Sequence, residues 1–182
     1  MTVGRGTGGR GTGGKGTMGR GTVGQGAGGK AGTAGRVSST TIAIPARAGM
    51  VWSVLTNLES YPDWNPFIRK AEGPRRAGAR WRLELTLNGR TYRTVRVQVT
   101  CWEPGRRLTW RGGITRPHLI TGTHDFRIAE TRHGIDLVQA ETFSGWLAPV
   151  LFPWLRARTQ ARFAAMNAAL RDEVARRTAE TA

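Results

Sequence analysis

The chain is 182 residues long, enough for one domain with a single core and some length to spare. Its 28 Lys and Arg against 12 Asp and Glu give a formal charge of +16, which favours nucleic acid, anionic membrane or acidic ligands as contacts. The lone cysteine, Cys101, excludes an intrachain disulfide and a Cys-based zinc site, and no apolar run approaches the ~18 residues of a membrane span. With no apolar leader-like run at the N-terminus, these features predict a cytoplasmic domain.

Residues 1–36 hold 16 of the 26 glycines and no acidic or aromatic residue. They repeat in fives (GRGTG, GRGTG, GKGTM, GRGTV, GQGAG) and are expected to be a disordered, low-complexity tail, because glycine at this density costs too much backbone entropy to order alone. Evenly spaced cations there suit weak contact with nucleic-acid phosphates or a protein partner, but no aromatic side chain is present to stack on bases. A DNA repeat translated from a start placed too early would yield the same pattern. Nucleic acid is therefore not an expected partner. From Val37 onward 22 Lys and Arg stand against 12 Asp and Glu, yet no basic run exceeds two residues, which reads as scattered surface charge and not as a binding stripe. Residues 37–180 form the expected folded domain.

"SSTTIAI" (38–44) is β-branched and predicts a first strand closed by Pro45. Residues 46–58 place Met50, Val51, Val54, Leu55 and Leu58 at helical spacing. "YPDWNPFIRK" (61–70) then reads as a Pro-braced loop in which Asn65 fixes the turn and Trp64 and Phe67 are placed to cover a cavity mouth. In 80–88 Trp81, Leu83, Leu85 and Leu87 alternate with polar residues, and Asn88-Gly89 is a two-residue hairpin signal. Val95, Val97, Val99 and Cys101 share a face of the returning strand, and "EPGR" (103–106) turns the chain into a strand carrying Leu108 and Trp110. Phe126 and Ile128 mark a strand over 120–129, and a turn at 130–134 leads to a last strand at 135–143. From Pro153 the period becomes helical, with Leu155, Phe163, Met166, Asn167 and Leu170 on one side and Arg156, Arg158, Arg162, Arg171 and Arg176 mostly on the other. A meander with one apolar face needs a long element laid across it, and this helix is large enough. The predicted fold is α+β: a curved antiparallel sheet wrapped around a long C-terminal helix, with a pocket wherever packing between them is incomplete.

The pieces "VWSVLTNLESYPDWNPFI", "GARWRLEL", "PGRRLTWRG", "GTHDF", "ETFSGWL" and "FAAMNAALRDEV", in this order across 38–178, resemble the START-like, birch-pollen-allergen-like helix-grip superfamily and its polyketide cyclase/dehydrase group. The resemblance implies a deep, mostly apolar cavity between sheet and helix that binds a hydrophobic, lipid- or polyketide-like small molecule. A cyclase- or dehydratase-type enzyme using the same cavity is the alternative it implies. It carries no fixed set of catalytic residues onto this chain and implies no cofactor; the oligomeric state stays open.

His124 and Glu141 are the candidate chemical pair. The five-residue turn sets His124 opposite Gln139 with Glu141 one diagonal step further, both facing inward by alternation. A carboxylate and an imidazole there can shift each other's pKa and act as acid and base, orient a ligand, or form a structural hydrogen bond; a one-residue bulge would put them in solvent instead. Tyr92, Trp81, Trp110, Phe126, Phe143, Trp146 and Met166, with Trp64, Phe67, Leu83, Leu85, Val97 and Gln139, are expected to line the cavity. Three scattered histidines and one cysteine give no metal-ligand spacing, so no metal site is expected. Cys101 reads as a small buried hydrophobe.

Overall fold

The β-branched stretch near the start of the folded part forms β1 (Arg36–Ile44), with Ser38 and Ile44 turned to the interior. The computed structural model describes residues 35–86, 92–113 and 119–181; the glycine repeat, Leu87, the Asn88-Gly89 turn, His118 and the Tyr92 side chain lie outside the described residues. After Pro45, α1 (Ala48–Thr56) buries Ala48, Val51, Val54 and Leu55, an i, i+3, i+4 stripe.

The predicted loop at 61–70 is mostly regular structure. A 3₁₀ turn (Leu58–Ser60) leads into α2 (Tyr61–Trp64), where Pro62 occupies the first turn and needs no hydrogen-bond partner there. Asn65 Oδ1 accepts hydrogen bonds from the Phe67 and Ile68 amides, each at 2.9 Å, and so sets the turn into β2 (Ile68–Glu72). The sequence pattern hides β2 because the strand is short and its register with β3 (Arg80–Thr86) shifts between Ile68 and Lys70, which breaks the alternation.

β4 (Tyr92–Glu103), β5 (Arg107–Gly113), β6 (Thr121–Thr131) and β7 (Gly134–Ser144) complete a seven-stranded antiparallel sheet of order β1-β7-β6-β5-β4-β3-β2. A second bulge, between Val99 and Cys101, inverts the expected faces beyond it. Cys101 is half-buried and donates to Glu103 Oε1 at 3.4 Å, while Trp102 packs on the core against Trp52 and Trp81. Burial and the Glu103 carboxylate push the Cys101 thiol pKa up, so it is a poor nucleophile.

The curved sheet closes on α3 (Ala148–Glu180), which buries Leu155, Thr159, Phe163, Met166, Leu170 and Val174. The helix starts a turn and more before the predicted Pro153. Pro149 sits in the first turn, and Pro153 lies inside the helix, where it cannot donate to the Pro149 carbonyl. Beneath the C-terminal half of α3 the core is dense: Val51, Val54, Leu55, Tyr61, Trp81, Leu137 and Leu170 are each 1% exposed or less. No helix among the described residues is long and apolar enough to cross a membrane.

Candidate functional site

Beyond that core, sheet and helix separate. β5 and β6 pair Trp110 with His124 and, two residues along, Gly112 with Gly122. These two glycines present no side chains of their own on the inner surface, where neighbouring strands present large ones, although the Val97 side chain closely approaches Gly112. The result is a cavity of about 390 Å³, walled mainly by apolar side chains from β3, β4, β5, β6, β7 and α3. This lies within the ~300–1,000 Å³ typical of small-molecule sites.

The hairpin β6–β7 turns on two residues, Arg132 and His133, and not on five. The register is therefore two residues away from the expected one: His124 pairs with Glu141, and Phe126 with Gln139. Both candidate chemical residues face the cavity. The His124 ring stacks on Trp110 (centroids 4.8 Å apart, planes at 15°) and meets the edge of Phe163 at 4.9 Å. Burial among these rings lowers the imidazole pKa to about 3, against the smaller upward pull of Asp125, so His124 is neutral at physiological pH. Gln139 Nε2 lies 2.9 Å from His124 Nε2. The amide donates, so the ring accepts at Nε2 and carries its proton on Nδ1. The same amide reaches Met166 Sδ at 3.4 Å, and the buried Gln139 Oε1 has no hydrogen-bond partner.

Glu141 behaves in the opposite sense. Burial pushes its pKa up to about 7, while the positive charge of Arg162 pulls it down. Arg162 projects from α3 into the cavity wall, with its guanidinium carbon 5.4 Å from the centre of the Phe67 ring. The pattern reading assigned Arg162 to the outer side of the helix. It lies one turn before Met166 and next to Phe163, both inward, and that flanking position is the signal available in the sequence. Arg93 and Arg158 also line the cavity. Asp125, beside His124 in sequence, faces the other side of the sheet. Burial raises its pKa, but hydrogen bonds from Arg107, Thr109 and Arg127 outweigh this and hold it below the usual carboxylate range.

Of the residues expected in the wall, Phe67, Leu83, Leu85, Val97, Trp110, Gln139, Phe143 and Met166 are there. Trp64 is not. It is buried in the core against Tyr61, with ring centroids 5.1 Å apart. Trp81 lies behind Trp110 and donates its indole N–H to the Pro74 carbonyl at 2.9 Å. Phe126 is fully buried against both Trp110 and His124. Trp146 points outward and is 65% exposed, because the chain leaves the sheet at Gly145, whose φ of 115° turns it toward α3. Among the described residues no group of three or more His, Cys, Asp or Glu could hold a metal ion.

A curved antiparallel sheet gripping one long helix around an apolar cavity defines the helix-grip, birch-pollen-allergen-like class of domains. Within that class the chain belongs to the family described as polyketide cyclase / dehydrase and lipid transport, whose model matches residues 36–175. Among solved structures it is similar to the di-domain ARO/CYC StfQ from the steffimycin biosynthetic pathway (TM-score 0.66, 14% identity), over 80% of this chain and 52% of that one, so it spans about half the di-domain. It is also similar to the Zhui aromatase/cyclase from Streptomyces sp. R1128 (TM-score 0.64, 22% identity, covering 79% of this chain and 96% of that one). The structure of Ara h 8.0201 is a third (TM-score 0.56, 14% identity, covering 77% of this chain and 97% of that one). At these identities the likenesses establish the fold. No curated protein matches the sequence.

Proposed function

We propose that the domain binds a hydrophobic small molecule, lipid- or polyketide-like, in the cavity between sheet and α3. The observation that carries this reading is the cavity itself, with Gly112 opposite Gly122 where a packed core would hold side chains. Its polar lining includes His124, Gln139, Glu141 and Arg162. Arg162 and Glu141 offer a cation and a titrating carboxyl to the ligand's polar end. A hydrophobic fluorescent probe such as anilinonaphthalene sulfonate tests the reading: it should bind the folded chain at one site, and Met166→Trp, which narrows the cavity, should weaken that binding. Unchanged binding in the variant would place the probe elsewhere and count against the cavity.

A second reading, a cyclase- or dehydratase-type reaction in the same cavity, is favoured by Glu141. A carboxyl titrating near pH 7 is present in both protonation states at neutral pH, so it can take a proton from carbon beside a carbonyl and return it to a departing hydroxyl. Neutral His124 would orient the substrate through Nδ1–H. On this reading Glu141→Gln and His124→Ala abolish turnover of a polyketide-like substrate while leaving its affinity largely intact; full turnover in both variants removes it.

A further inference from the structure

The exposed large apolar side chains among the described residues are concentrated in one place. Trp146 (65% exposed), Val150 (75%), Leu151 (36%) and Trp154 (60%) all lie in the segment entering α3 or in its first two turns, with Val37 of β1 as the one outlier. Scattered apolar residues on a surface need no explanation, but two tryptophans and two aliphatics within nine residues form a patch. By helical period Val150, Leu151, Trp154 and Arg158 share one side of the helix.

Within the segment that carries this patch the charge has one sign, Glu141 of β7 being the carboxyl in the adjoining cavity wall. From Thr142 to Arg171 the chain holds no acidic residue and four arginines. Arg158 lies over the Trp154 ring at 5.4 Å, and Arg36 over Phe152 at 5.7 Å. The first turn of α3 carries no acidic residue, so the positive end of a 33-residue helix dipole is uncompensated there. Trp154 and Arg158 also line the cavity, so the patch runs into the cavity mouth.

We propose that this surface seats the domain on an anionic lipid bilayer, with Trp146, Val150, Leu151 and Trp154 in the headgroup region and the cavity mouth toward the membrane. Tryptophan suits that boundary because one edge of its ring is apolar and the other hydrogen-bonds. Arginine stems lie along the apolar layer while their guanidinium groups meet lipid phosphates. Charge complementarity selects this occupant over a second copy of the chain. An isologous contact would bring the same arginines face to face with no carboxylate from this segment between them.

The test is flotation of the full chain with vesicles of phosphatidylcholine alone and of phosphatidylcholine mixed with phosphatidylglycerol. The wild type should float with the mixed vesicles and much less with the neutral ones. Trp146→Ser combined with Val150→Ser should lower the floated fraction roughly tenfold or more, since burial of these side chains supplies the apolar part of the binding. Neither residue lines the cavity, so probe binding stays unchanged and a failure here is distinct from a failure of the ligand reading. Equal flotation of wild type and variant would assign any attraction to charge elsewhere, including the cationic residues of 1–34, and would overturn the proposal. So would a wild type that does not float, or that is a dimer by light scattering where the variant is a monomer.

Discussion

The two ends of the space between sheet and α3 are built by the same strands and the same helix, yet one is solid and the other hollow. At the first end Trp81, Tyr61, Leu55 and Leu170 fill the layer, and the Tyr61 hydroxyl donates to the Leu55 carbonyl at 2.7 Å. At the second, Gly112 and Gly122 present no side chain, and His124, Glu141 and Arg162 face the gap. Each end also holds a carboxyl group of opposite character. Hydrogen bonds from Arg176, and next from Arg177, outweigh burial and bring the Glu173 pKa down to about 2, whereas burial raises that of Glu141 to about 7. A paired carboxylate on a helix contributes to stability; a carboxyl in an apolar wall costs stability and is available for other work. Architecture alone therefore does not separate core from site. Side-chain volume and the presence of ion partners do.

The largest contrast to break is packing. Trp81→Ala at the solid end should cost about 3–5 kcal/mol of unfolding free energy, read from denaturant melts. Gly122→Leu at the hollow end should change stability by no more than about 1 kcal/mol, because glycine inside a strand contributes no packing and the new side chain enters existing space. A comparable loss in both would mean that the two ends are packed alike.

The carboxyl groups give the next contrast, and their signs differ. Between the usual value of 4.5 and about 7 the folded chain holds the Glu141 proton that the unfolded chain has released, so stability falls as pH rises through that window. Glu141→Gln removes the fall and should be more stable than wild type at pH 8 by about 1–3 kcal/mol, with little difference at pH 4. For Glu173 the folded value lies below 4.5, so its contribution is fully present above that pH and is lost as pH drops toward about 2. Glu173→Gln should cost about 1–2 kcal/mol at pH 7 and progressively less in acid, the magnitude reduced by solvent around the arginines. Parallel pH profiles for the two variants would erase the distinction between them.

Much of the solid end was legible in the sequence, because alternation in Trp81–Leu83–Leu85 and helical spacing in Val51–Val54–Leu55 follow directly from the geometry of strand and helix. The hollow end was legible in its main residues, since His124, Gln139 and Glu141 fall on inward positions of long regular strands. What escaped did so at irregularities. The bulge after Val99 exchanged Cys101 for Trp102, the bulge at Ile68 concealed β2, and a two-residue turn moved the His124 register. Arg162 was missed because a long side chain at the border of a helix face reads as solvent-facing unless the cavity beside it is known. Trp64 and Trp146 show the limit of counting aromatic rings: one fills the core and the other faces outward.

The central claim is that the gap beside Gly122 is a binding site for a hydrophobic small molecule. Native mass spectrometry of the full chain, purified without denaturation, measures this directly when wild type and Gly122→Leu are compared. A bound small molecule released from the wild type at modest collision energy, and absent from the variant, is the predicted result. A wild type with no bound mass that also takes up no added hydrophobic probe, or a mass carried equally by both proteins, would contradict it.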